Sequence, residues 1–247
     1  MTFTRVDWAY IHSQTFFTAE GCWTTCNGGF CCSIKCHPDL SALRFIPTEG
    51  ATMIYLEEEY SFLRQNGRVS DNQAKYLSLD FGMEKPLRLI SARCLYMGLC
   101  RDIIERPLLC KLYPYFPVFS LDGNIENFCP VNIFDLTLGT IGEKSLCTIK
   151  KDEYINFLNS LSPKLSFFQL LNHPYFIFHS MAAKIFADIY INKLKTNKQL
   201  MDIKGKDFWR MWEYYYLSGK LFDMEGLKEK VAEIYKALKQ QYPGFSL

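Results

Sequence analysis

The sequence predicts an α+β fold that is mostly helical. A metal-pinned N-terminal part built around a cysteine cluster, with a small hairpin, is expected to pack on a helical C-terminal part. Three observations predict this fold. Ten cysteines occur in 247 residues, and none follows Cys147. Asp122-Gly123 separates two apolar runs, which is typical of a β-hairpin. Beyond residue 147, apolar residues recur at helical spacing.

The composition excludes several classes of protein. Apolar residues make up 49% of the chain and the net charge is only +2, so a buried core is expected and a phosphate-tracking basic surface is not. No stretch approaches the roughly 18 apolar residues of a membrane span. The first residues lack the basic end and apolar run of a signal peptide. We therefore expect a cytoplasmic protein with no membrane span and no nucleic-acid partner.

The distribution of cysteines divides the chain into two parts. Residues 1–147 form the cysteine-cluster part and residues 148–247 the helical part. No repeat, low-complexity tract or flexible linker separates them. A single integrated domain therefore remains an alternative to two domains.

Local patterns predict the elements of the first part. Apolar residues at helical spacing in 53–63, followed by Gly67, predict a helix closed by a C-terminal glycine. Leu77, Leu79 and Phe81 alternate with polar residues, which is the period of a strand with one buried face.

The second part is predicted to be helical throughout. Apolar periodicity predicts helices around residues 154–161, 177–194, 208–217 and 227–238. The aromatic segment 208–217 offers surface for stacking a planar ligand. At helical spacing, core packing is the better interpretation.

The cysteines form two groups. The first contains Cys22, Cys26, Cys31, Cys32 and Cys36, and the second contains Cys94, Cys100, Cys110 and Cys129. In a chain without an export signal, clustered cysteines are more often metal ligands or catalytic thiols than disulfides. Buried inert thiols are the competing interpretation.

The first group has two features that bear on a bound metal. Gly28 and Gly29 lie between its cysteines, where positive φ angles would turn backbone amides toward sulfur and tune a cluster. Cys31 and Cys32 are adjacent, and neighbouring side chains in an extended segment point apart. One of these two cysteines is therefore expected to bind a second ion, to act as a bridging ligand, or to stay a free thiol.

Thiolate ligands suit both zinc and iron–sulfur chemistry, so ligand type does not separate the two. The number of candidate cysteines exceeds the four that one structural zinc ion uses. This excess favours either a cluster or two metal ions; we expect an iron–sulfur cluster, most simply [4Fe-4S], or iron, with zinc as the alternative.

The second group lies in a longer motif. In order, the motif residues are Cys94, Cys100, Arg106-Pro107, Cys110-Lys111, Tyr113-Pro114, Asp122-Gly123 and Cys129-Pro130. This pattern resembles the YkgJ-type cysteine-cluster family of zinc- or iron-chelating domains, whose larger members are similar to flagellin lysine-N-methylases. The resemblance covers roughly residues 22–130.

The resemblance implies a bound metal or iron–sulfur cluster. The implied ligands are Cys22, Cys26, Cys31, Cys32, Cys94, Cys100, Cys110 and Cys129. A methylation-type reaction follows only by analogy with the larger members. In the first group, three and then four residues separate the first three cysteines where the family has two, so the ligand roles of Cys31, Cys32 and Cys36 stay open.

Three other groups of residues could contribute to a site. Arg106 either precedes a helix begun by Pro107 or offsets the negative charge of a thiolate cluster, and both roles are compatible. The run Glu57-Glu58-Glu59 is predicted to be a solvated helix face. His12, His173 and His179 show no metal-ligand spacing and are expected to be ordinary packed or surface histidines.

Two classes of function remain. In the first, the chain is an iron–sulfur or iron enzyme or redox protein, acting on an unknown substrate or redox partner held between the cysteine part and the aromatic helices. In the second, zinc is structural and the chain is a binding or adaptor module without catalysis.

Overall fold

The computed structural model describes residues 6–14, 37–46, 52–69, 74–94, 106–147, 149, 151–152, 154–155 and 171–247. These residues confirm a mixed α+β architecture with more helix than strand. Within the described ranges, no helix is both long and apolar enough to cross a membrane.

A three-stranded antiparallel sheet forms the first layer. Its strands are β1 (Thr52–Leu56), β2 (Lys75–Leu79) and β3 (Leu87–Arg93), with β3 in the centre. Helix α1 (Trp8–Ser13) precedes the sheet along the chain, and α2 (Glu57–Gln65) follows β1 without a loop. One face of the sheet packs against α2 through Tyr55, Tyr60, Leu63, Ile90 and Ala92.

The predicted helix over 53–63 is wrong in its first turn. Met53 and Leu56 belong to β1, because this segment pairs with β3 and places Met53 opposite Ala92. Tertiary pairing here overrides a helical spacing that only Tyr60 and Leu63 obey. The C-terminal glycine is confirmed, since Gly67 has a φ of 67°.

Strand β2 is confirmed, but its predicted buried face is wrong. Leu77 is 39% exposed and Tyr76 is 63% exposed. Because β2 is an edge strand, only the end near Leu79 reaches the main core. Phe81 is buried, but it lies beyond the end of the strand.

The predicted hairpin is confirmed. Helix α3 (Leu108–Leu112) leads into β4 (Tyr115–Phe119) and β5 (Ile125–Pro130), which pair antiparallel. Gly123 has a φ of 82° in the connecting turn, a conformation that favours glycine. Helix α4 (Ile133–Thr140) follows, with Asn132 as its N-cap.

The helical part is confirmed where the structure describes it. Its helices are α5 (Pro174–Thr196), α6 (Lys198–Met201), α7 (Gly205–Leu217) and α8 (Met224–Gln241). Side chains cap three of them, because His173, Asn197 and Asp223 each accept a backbone N–H of the first turn. Most of the helix predicted over 154–161 lies outside the described residues.

Helix α5 connects two hydrophobic cores. Its N-terminal half contributes Phe176, Ile177 and Phe178 to a core shared with α3, α8 and the sheet. Its C-terminal half contributes Tyr190 and Leu194 to a core shared with the hairpin, α4 and α7. The cysteine part and the helical part therefore share both cores.

The aromatic segment of α7 packs as predicted. Phe208, Trp209 and Trp212 are buried in the second core. The indole N–H of Trp212 donates to the Tyr190 hydroxyl at 2.7 Å, and that hydroxyl also bonds Thr137. This pairing satisfies the polar atoms that the aromatic side chains bring into the core.

Candidate metal centre

The structure describes part of the predicted ligand set. Cys94, Cys110, Cys129 and Arg106 lie within the described residues. The other predicted site residues, which lie outside them, are Cys22, Cys26, Cys31, Cys32, Cys100, Gly28 and Gly29.

Cys94 and Cys110 lie near the same buried tyrosine. Cys94 directly follows β3 and is buried, and Cys110 lies in the middle of α3. Burial raises the pKa of the Tyr55 hydroxyl far above its ordinary value, and negative charge on Cys94 raises it further. Glu59 and Cys110 have the same effect on the pKa of Tyr55. Helix α3, which carries Cys110, packs against β1, and Thr52 of β1 pairs with Arg93, the residue before Cys94.

Cys129 has different surroundings. It lies on β5 opposite Phe116 and belongs to the core shared with α4 and α7. Burial raises the pKa of its thiol to about 11, against an opposing effect of Lys184. At neutral pH this thiol is protonated, and a metal ion would have to displace the proton, since the thiolate is the ligand form.

Arg106 lies at the start of α3. Pro107 is the N-cap of the helix, so Leu108 is the first helical residue. The prediction that proline occupies the first helical position is therefore wrong by one residue. Proline still suits this place, because it has no backbone N–H to leave unsatisfied.

The prediction that Glu57, Glu58 and Glu59 form a solvated helix face is wrong for Glu59. It is only 1% exposed, and its Oε1 accepts the backbone N–H of Leu108 at 2.5 Å. A carboxylate at this point satisfies an N–H that the first turn of α3 cannot pair internally. Glu57 and Glu58 remain partly exposed, where Glu57 pairs with Arg88 and Glu58 accepts the Trp8 indole N–H.

Lys111 is the second buried charge that sequence analysis missed. It is 1% exposed, and its Nζ donates to the carbonyl oxygens of His12 and Gln14 at 3.0 Å each. These carbonyls lie at the C-terminal end of α1, where a cation is favourable. Lys111 therefore fixes the point from which the chain continues toward Cys22.

Metal-ligand geometry is incomplete in this part of the chain. Within the described ranges, no three or more His, Cys, Asp or Glu side chains are grouped so as to hold a metal ion.

A surface cavity lies at the end of the sheet where β3 leads into Cys94. It has a volume of about 480 Å³ and is lined by Thr52, Ala74, Lys75, Ser91 and Arg93. Its size lies within the range of small-molecule sites. The cavity lies on the face of β3 that carries Ser91 and Arg93, opposite the buried face formed by Ile90 and Ala92.

Comparison with known proteins finds no match: no family model, no curated protein and no solved structure corresponds to this chain.

Proposed function

We propose that the protein binds an iron–sulfur cluster, or iron, through thiolates of both cysteine groups, and acts as an enzyme or redox protein. The observation that supports this proposal is that α3, which carries Cys110, packs against β1, the strand that pairs with β3 directly before Cys94. Thiolates from separate segments that converge on one point are the usual way a chain encloses a cluster.

The ends of the cysteine-bearing segments support the same proposal. Residues 15–36 hold the first group, and they begin directly after Gln14, whose carbonyl is bound by Lys111. Lys111 is the neighbour of Cys110 in α3. From Gln14, the eight residues to Cys22 span at most about 28 Å. Cys22 is therefore within reach of Cys110.

The second group of cysteines is also anchored at both ends by described residues. Cys100 lies in residues 95–105, between the buried Cys94 and Arg106 at the start of α3. The motif from Cys94 to Cys129 also resembles the YkgJ-type pattern, which adds support from residue order.

Structural zinc in a binding or adaptor module is the second candidate. Burial of both Cys94 and Cys129 favours it, because structural thiolate sites are closed to solvent. In this case the metal stabilises the fold and takes no part in a reaction.

The experiment is spectroscopic and analytical. Protein purified without oxygen is expected to absorb in a broad band near roughly 400 nm and to contain iron and sulfide. Colourless protein with stoichiometric zinc would reject the cluster and favour the structural module. Protein with neither metal would reject both.

Two serine variants test the ligands. Cys110→Ser is expected to remove most of the bound metal, because it deletes a thiolate beside Tyr55. Cys147→Ser is the matched control, since Cys147 is also partly buried but lies outside the motif. Equal metal content in both variants would exclude Cys110 as a ligand.

A further inference from the structure

Helix α7 exposes three large apolar side chains on one face. Met211, Tyr214 and Leu217 are 38%, 59% and 63% exposed, whereas the opposite face of the helix is buried in the second core. Single exposed apolar residues are common, but residues spaced by three along a helix are neighbours on its surface. These three side chains therefore form one exposed apolar patch, and such patches mark interaction surfaces.

Basic residues extend this face at both ends of the apolar patch. Lys206, Arg210, Tyr214 and Leu217 follow one another at intervals of four, four and three residues, which is the spacing of one helix face. Beyond the end of the helix, the Nζ of Lys220 lies 4.9 Å from the centre of the Tyr214 ring. The exposed face of α7 thus combines apolar side chains with cations.

Positive charge is concentrated in this region of the chain. Residues 193–220 contain seven lysine and arginine residues and three acidic residues, a net charge of +4 in a chain whose total is +2. All seven cations are exposed, whereas one of the acidic residues, Glu213, is buried. Gln199 of α6 accepts the Tyr215 hydroxyl at 2.6 Å, so α6, which carries Lys198, lies alongside α7.

A membrane surface matches both properties of this face. A bilayer that contains anionic lipids attracts lysine and arginine, and it accepts apolar side chains and tyrosine rings at the depth of its head groups. A nucleic acid or an acidic protein surface would match the cations alone, because phosphates and carboxylates leave Met211 and Leu217 in water.

We propose that the exposed face of α7 binds the surface of a membrane containing anionic lipids. Met211, Tyr214 and Leu217 enter the head-group region, and Lys206 and Lys220 contact lipid phosphates. Long lysine side chains suit this arrangement, because their stems lie along apolar surface while the charged ends stay in water. The inference goes beyond the proposed function, since it involves neither a cysteine nor a bound metal.

Vesicle sedimentation tests the proposal with the full-length protein. The vesicles consist of phosphatidylcholine with about one-third phosphatidylglycerol, or of phosphatidylcholine alone. We expect binding to the anionic vesicles to be about tenfold tighter or more, and to weaken at about 0.5 M salt, which screens surface charges. Equal binding to both kinds of vesicle, or binding to neither, would overturn the proposal.

Two double variants test the apolar patch. Tyr214→Ser combined with Leu217→Ser should weaken binding to the anionic vesicles by about tenfold or more. Tyr76→Ser combined with Leu77→Ser is the matched control, because it removes the same two residue types from exposed positions of β2. Binding by the control should change by less than about twofold. Equal losses in the two double variants would contradict a site on α7.

Charge reversal tests the basic part of the face. Lys206→Glu should weaken binding by about fivefold or more, whereas Lys230→Glu, at an exposed position of α8, should change it by less than about twofold. If Lys206→Glu weakens binding but the loss of Tyr214 and Leu217 does not, the surface is merely basic and the proposal fails. A labelled single-stranded oligonucleotide and polyglutamate represent the other occupants. Binding of either one through Tyr214 and Leu217, without binding to anionic vesicles, would assign the face to that partner and overturn the membrane.

Discussion

The carboxylate of Asp135 accepts a hydrogen bond from the Tyr113 hydroxyl at 3.0 Å. Tyr113 belongs to the cysteine motif and Asp135 to α4, so this bond joins the candidate metal segment to the second core. Asp135 also accepts from Asn132, from the Ser145 hydroxyl and from the backbone N–H of Leu146. Both oxygens of this buried carboxylate therefore accept two hydrogen bonds each.

Replacing Asp135 by alanine should destabilise the fold strongly. The change leaves several buried donors unpaired, at about 1–3 kcal/mol for each one that stays unsatisfied, and we expect the free energy of unfolding to fall by about 3–5 kcal/mol. Chemical denaturation monitored by tryptophan fluorescence measures it. Asp207→Ala is the control, since Asp207 is 76% exposed, and should change stability by less than about 0.5 kcal/mol. A small effect at Asp135 would contradict the network.

Lys111→Met should also destabilise the protein. Methionine keeps most of the side-chain volume but leaves the carbonyls of His12 and Gln14 without a donor, at a cost of about 2–4 kcal/mol. Lys230→Met, at an exposed position of α8, is the matched control. Denaturation curves that coincide for the two variants would contradict the role given to Lys111.

Features determined by nearby residues could be predicted from the sequence. Asp122-Gly123 predicted the hairpin because the turn depends on backbone conformation at these two positions. Leu227, Val231 and Leu238 predicted α8 because an amphipathic helix displays its buried face in its own sequence.

Features determined by distant residues could not be predicted. Glu59 is buried because it pairs with Leu108, 49 residues later, and Lys111 because it binds His12, 99 residues earlier. The predicted face at Leu77 failed for a related reason, since exposure of an edge strand depends on which elements cover it. Of the candidate metal centre, sequence identified the cysteines, whereas the buried charges around them required the fold.

Gly123→Ala should be more harmful than an ordinary glycine substitution in a turn. A Cβ at Gly123 would lie 2.0 Å from Asn172 Oδ1, and the φ of 82° is itself unfavourable for alanine. Gly142 has a similar φ of 78° but no atom within 4 Å of its added Cβ. We expect Gly142→Ala to cost about 1 kcal/mol and Gly123→Ala a few tenths of a kcal/mol more, measured by thermal unfolding, because the exposed Asn172 side chain must rotate away from the added Cβ.

A double variant isolates the steric part of this effect. Adding Asn172→Gly to Gly123→Ala should recover the difference between the two glycine variants, because the clash involves only the Asn172 side chain. If the double variant is no more stable than Gly123→Ala alone, the cost arises from backbone conformation.

His179 should make stability fall in mild acid. Its Nε2 is buried without a partner, and burial lowers the pKa of the imidazole to about 3. The unfolded chain binds this proton near pH 6.5, whereas the folded protein does not bind it until about pH 3. The contribution of the neutral His179 to stability is therefore complete above about pH 6.5 and is lost progressively below it. By pH 5 the loss in the free energy of unfolding is about 2 kcal/mol.

His179→Phe tests this directly, because phenylalanine keeps the ring contacts with Tyr175 and Phe178 and cannot take up a proton. Unfolding free energies at pH 7.5 and pH 5 should differ less in the variant than in the wild type, by about 2 kcal/mol. Other groups titrate equally in both proteins, so the difference between the two pH profiles isolates His179. Parallel profiles would show that the histidine is protonated in the folded state, or that its nitrogen finds a partner there.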